Sequence, residues 1–117
     1  MTPTESETKA TLAALDERQR KIVIGLFGLM IGEPTRVRDK EWMSEQLTQL
    51  VLISEESEAD SADGAIEIVR AYVTEHADTL FQASLKLFQR VAADLAPRAS
   101  QGFSFEDALQ LAMTYLP

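Results

Sequence analysis

Residues 16–31 read DERQRKIVIGLFGLMI, and this stretch decides the fold. Asp16 with Gln19 three places on is the residue pairing that opens a helix, each side chain able to bond the other's backbone N–H. Ile22, Val23, Ile24, Leu26, Phe27, Leu29, Met30 and Ile31 then leave almost no polar face. A helix that is apolar all round is buried all round, so residues 17–31 are predicted as the central helix of a bundle. Gly25 and Gly28 each cost about 1 kcal/mol of helix propensity relative to alanine, which predicts another backbone packed close to them. Gly32 and Pro34 stop the helix. Taken alone, Ile22 to Ile24 would serve equally as a buried strand; the cap and the length decide for helix.

Outward from this segment the signals stay helical. Thr4 with Glu7 has the form of a capping box, and Leu12 and Leu15 give a short helix over 5–14. Asp39 caps a third helix in which Trp42, Met43, Leu47, Leu50, Val51 and Ile53 recur at helical spacing. From 54 to 63 the composition turns to serine and acid, which reads as a solvated acidic loop and the one internal linker. Ala62, Ala65, Ile66, Val69 and Val73 make one face of a fourth helix ending near His76. Asp78 caps a fifth, with Phe81, Leu85, Phe88, Val91 and Leu95 on a single core-facing stripe before Pro97. Ser104 and Asp107 form another capping box, Phe103 stands at the staple position, and Phe105, Leu109, Ala112 and Leu116 supply the last helix's buried side.

No segment alternates over strand length, and no Asn-Gly or Asp-Gly turn joins strand-like runs. The expectation is an all-α chain, residues 1–117 as a single helical domain, folded as a compact five- or six-helix bundle around the 17–31 helix. The order of apolar helix, proline-containing loop and capped helix occurs at 22–53 and again at 81–116, a hint of two related hairpins without residue identity to support it.

A chain of 117 residues with 45% apolar and 26% charged residues has the composition of a folded globular domain. It has no cysteine, which removes disulfides, thiolate metal sites and cysteine nucleophiles. Met1 to Glu7 shows no basic n-region before an apolar stretch, and the longest apolar run, Ile22 to Ile31, is far short of the ~18–20 residues that span a bilayer. No membrane and a cytoplasmic location are therefore expected.

Charge is the least ordinary feature. The net charge is -8, and Lys40 and Arg70 enclose a stretch without a single base that holds Glu41, Glu45, Glu55, Glu56, Glu58, Asp60, Asp63 and Glu67. Such a surface repels phosphates, so no nucleic acid is expected as a partner; a basic protein is. Arg36, Arg38 and Lys40 are too few for a nucleic-acid footprint and are suited to pairing with acids of the same or a second subunit.

Placing Gly64 at the sixth position of a calcium loop puts Ala59 first, Ser61 third and Arg70 twelfth, which fails the ligand pattern. A di-metal carboxylate bundle needs Glu-x-x-His, and the residue three before the sole histidine, His76, is Val73. His76 reads instead as a residue near a helix C-terminus, where its positive form suits the dipole. There is no Gly-x-Ser-x-Gly, Ser-x-x-Lys, phosphate loop or dinucleotide glycine pattern. No catalytic residue, cofactor or metal is expected, and Glu41 and Glu45 read as solvated charge on one helix face.

Leu15-Asp16-Glu17-Arg18-Gln19, followed by the apolar helix, a loop and the Glu41-containing helix, resembles the tellurite-resistance TerB-type helical domains. Those domains carry Asp-Gly after the apolar helix where this chain has Gly32-Glu33, so no residue role is transferred.

The functional expectation is a non-catalytic interaction protein, an inhibitor, immunity or antitoxin-type factor or an adaptor, whose 41–67 acids dock on a basic partner. The alternatives are a structural or stress-related homodimer whose charge serves solubility, and an enzyme with a site not legible here. Trp42 and Met43 suit either the core or an apolar interface. A homodimer is expected because Trp42, Met43, Leu52, Ile53, Phe103, Tyr115 and Leu116 exceed what one small bundle easily buries.

Overall fold

The helix starts expected at Thr4, Asp16, Asp39 and Ser104 carry their caps. The computed structural model describes residues 2–56, 62–98, 100, 102 and 104–117, and the side chains of all of these except 54–56 and 62–66. The Thr4 hydroxyl accepts from the Glu7 N–H at 3.0 Å and opens α1, Glu5–Ala13. Asp16 and Gln19 close a reciprocal capping box at 2.8 and 3.1 Å, opening α2, Glu17–Gly32. After a 3-10 turn at Pro34–Arg36, Asp39 Oδ1 accepts from the Glu41 and Trp42 N–H groups, both at 3.1 Å, and opens α3, Lys40–Glu56. The long α4 is Ala62–Leu95, followed by a 3-10 turn at Ala96–Arg98. Gly102 takes a left-handed φ of 77°, a conformation that suits glycine, just ahead of the Ser104–Asp107 capping box and α5, Phe105–Met113. The all-α class is met, and no strand occurs among the described residues.

Residues 62–95 form one helix where two were expected. Neither glycine nor proline lies between Tyr72 and Leu80, and an Asp78 inside a helix costs only a few tenths of a kcal/mol. A break would strand the backbone groups of two new helix ends. Tyr72, Val73, His76, Ala77 and Leu80 face inward in unbroken succession, so packing carries the helix through. His76 is therefore mid-helix, 4.5 Å from the Tyr72 ring and 3.5 Å from the Gln19 amide, and not at a C-terminus. Thirty-four residues at ~1.5 Å each account for the 49 Å long axis of the molecule. The 54–63 loop is also shorter than expected: α3 runs to Glu56 and α4 starts at Ala62, with 57–61 outside the described residues.

Against this spine, α2 and α3 pack on one another and on α4, α1 lies along α4, and α5 bridges α2 and α4. Leu12, Val23, Phe27, Leu47, Val51, Leu80, Leu87 and Val91 are completely enclosed. The buried hydroxyls of Thr8 and Ser84 each donate to the carbonyl four residues back, at 2.9 and 2.7 Å, so neither is left unsatisfied. Ala108 and Ala112 are buried on α5 and Tyr115 just beyond it; of the expected stripe Ala112 is buried, Leu109 and Leu116 are half-buried, and Phe105 stays 51% exposed.

Phe105 explains Gly28. A Cβ there would meet the tip of the Phe105 ring at 3.3 Å, while one at Gly25 would meet Leu50 Cδ2 at 2.9 Å. Both glycines thus face side chains rather than the backbone expected from the sequence. Because the Phe105 ring is half in solvent and free to give way, Gly28→Ala should gain up to about 1 kcal/mol of helix propensity in urea unfolding. Gly25→Leu should cost about 1–3 kcal/mol by overpacking against α3. Equal losses from both substitutions would contradict this contrast.

Candidate functional site

Of the acids that carry the net charge, Glu41, Glu45 and Glu67 have described side chains. Glu41 and Glu45 lie on α3 and Glu67 on α4, all exposed and none in an ion pair among the described residues. Glu55 and Glu56 end α3 and Asp63 falls in the first turn of α4, while Glu58 and Asp60 lie outside the described residues. From Glu41 to Glu55 the backbone of α3 rises ~21 Å. At 100° per residue Glu41 and Glu45 also point away from Met43, off the back of the helix.

Trp42 and Met43 are buried, 6% and 7% exposed, and cluster with Leu26 and Met30. Tyr115 is buried, Leu52 and Leu116 are half-buried, Ile53 is 65% exposed, and Phe103 lies outside the described residues.

In front of the Trp42–Met43 cluster the structure opens a groove of about 1040 Å³ between α4 and residues 34–43. Phe81, Leu85 and Phe88, spaced i, i+4, i+7 on α4, form one wall, and Met43 with Val37 and Pro34 forms the rest of the apolar lining. The cause lies in α4, which carries two apolar stripes. Leu80, Ala83, Leu87, Val91 and Leu95 enter the core, and the Phe81–Phe88 stripe stands roughly 90° round the helix, half-buried, with Leu85 39% exposed. Of the expected core-facing stripe, Val91 and Leu95 are buried, Phe81 and Phe88 are half-buried against the core, and Leu85 alone is exposed.

Charge is placed at this groove as well. Arg38 and Lys40 line it from the connection into α3, both exposed and without an ion pair among the described residues; Asp78 and Gln89 mark the two ends of its α4 wall. Arg36, the third base of that cluster, is engaged elsewhere: it pairs with Glu33 at 3.4 Å and lies 5.7 Å over the Trp42 ring. A second hollow of about 300 Å³ lies between α2 and α5, lined by Ile24, Met113 and Leu116. Its bases are committed, Lys21 to Glu17 at 3.6 Å and Arg20 to the carbonyls of Leu12 and Leu15.

A polar network closes the opposite side of the bundle. The Tyr115 hydroxyl donates to Asp94, Asp94 takes Arg90 at 2.8 Å, and Arg90 donates on to the Pro3 carbonyl at 2.9 Å, joining α5, α4 and the segment before α1. Burial, and then the hydrogen bond to Asp94, push the Tyr115 hydroxyl up to about 12. Among the described residues no group of three or more His, Cys, Asp or Glu is placed to hold a metal ion, and no helix is long and apolar enough to cross a membrane.

No protein family matches this chain, and neither a curated protein nor a solved structure does.

Proposed function

We propose that this chain is a non-catalytic protein-interaction module that holds a segment of a partner protein in the groove between α4 and residues 34–43. The observation that carries this reading is the Phe81–Leu85–Phe88 wall backed by Met43, in which Leu85 is 39% exposed while Phe81 and Phe88 are half-buried against the core. Apolar side chains left open in a concave surface mark a place where another apolar surface is received. At about 1040 Å³ the groove lies at the upper limit of small-molecule pockets, which run to roughly 1,000 Å³. Its aromatic and methionine content is that of protein interfaces.

The exposed acids on the back of α3 favour a second reading, a basic partner docked on Glu41 and Glu45. The two are separated by capturing partners from an extract of the native cell with the wild-type chain, Leu85→Glu and Glu41→Gln/Glu45→Gln. The groove reading expects Leu85→Glu to release the bound protein and the double glutamine variant to keep it. Loss with the glutamine variant alone, together with release as salt rises, assigns the contact to α3 and overturns the groove.

A further inference from the structure

We infer that the groove receives an amphipathic α-helix about three turns long, whose apolar stripe seats on Phe81, Leu85 and Phe88 and whose acidic residues pair with Arg38 and Lys40. This rests on the groove reading above and adds the chemistry of the occupant.

Three observations converge on it. The first is length. The α4 wall from Asp78 to Gln89 rises ~16 Å, the span of about eleven helical residues. The second is spacing. Side chains at i, i+4, i+7 on a straight helix make a ridge that meshes with the same spacing on a second helix, the geometry by which helices are held in grooves. An extended peptide alternates sides every residue and would set only every other side chain against this wall.

The third is charge. In a chain of net charge -8, Arg38 and Lys40 lie together on one short connection, exposed and without an ion pair among the described residues, beside apolar surface. Arg36, Lys21 and Arg90 each have a carboxylate of this chain. Two uncommitted bases flanking an apolar floor select carboxylates, and Arg38 presents a fork suited to taking one in two bonds. A basic helix would put its charges against these two and be repelled at the rim.

The test uses two fluorescein-labelled helical peptides of about fifteen residues with the same leucine stripe at i, i+4, i+7, one flanked by glutamates and one by lysines. They are titrated with the full chain and followed by anisotropy. The sole tryptophan, Trp42, stands behind Met43, and its emission serves as an independent reporter of groove occupancy and of folding in each variant.

The glutamate peptide should bind at least tenfold more tightly than the lysine peptide. Arg38→Glu/Lys40→Glu, at two exposed positions, should reverse that order. Leu85→Glu should lose both peptides. Equal binding of both peptides to the wild type, abolished by Leu85→Glu, would overturn the acidic helix and leave the groove reading standing. Binding of neither peptide by a folded chain would overturn the helix, and a long-chain fatty acid displacing the glutamate peptide at lower concentration than the peptide itself would reassign the groove to a lipid carboxylate.

Discussion

Phe27→Ala should lower the free energy of unfolding by about 3–5 kcal/mol, the cost of removing a large side chain from a site that cannot collapse. Phe27 has no exposed surface and lies mid-way along α2, the helix that contacts α3, α4 and α5 together. The loss is a large part of the 5–15 kcal/mol that stabilises a typical domain, and it corresponds to roughly 12–20 °C in Tm for a chain of this size. Urea unfolding followed by circular dichroism measures it. Leu29→Ala on the same helix is the control: Leu29 is 36% exposed and should cost about 1 kcal/mol or less. Equal losses at the two positions would mean that α2 is not enclosed as described.

Tyr115→Phe should cost about 1–3 kcal/mol at neutral pH, because the hydroxyl donates to a carboxylate at a buried position. It should also change how stability depends on alkali. The Tyr115 hydroxyl is held up at about 12 in the fold, against an ordinary value of 10.0, so the folded chain keeps this proton where the unfolded chain has already lost it. Its contribution is complete below pH 10 and drains away as the pH rises through about 12. Wild-type stability should fall across that window, and the Tyr115→Phe curve should fall less. Parallel curves would show that the proton on Tyr115 is not linked to folding. Since Arg90 and Asp94 continue the network to the Pro3 carbonyl, the same variant should loosen the α1 end, read as faster amide exchange at residues 5–13.

Caps and local patterns were legible because each rests on residues within one turn of each other. Asp16 with Gln19, Asp39 with the N–H groups of Glu41 and Trp42, and Ser104 with Asp107 satisfy helix-end donors, whatever the rest of the chain does. The all-α class and the burial of Ile22, Val23, Leu26, Phe27 and Met30 follow from the same local information, although burial on all sides does not hold, since Leu29 is 36% exposed and Ile24 and Ile31 are half-buried.

What depended on tertiary structure was the use made of each apolar face. Whether α4 breaks at Asp78 turned on the continuous contact of Tyr72, Val73, His76 and Ala77 with the rest of the bundle, and no local signal encodes that. The Phe81–Leu85–Phe88 stripe and the Leu80–Leu87–Val91 stripe are equally apolar in sequence. Only the placement of α2 and α3 determined that the second is core and the first is the wall of a groove. Glu41 and Glu45 lie on α3 and Glu67 on α4, and a helix separates residues by ~1.5 Å of rise and 100° of turn. Arg38 and Lys40, a minor basic cluster in the sequence, came to flank a large apolar groove. Periodicity shows that a helix has an apolar side; which neighbour covers that side, and which part stays open, is decided by packing between segments far apart in the chain.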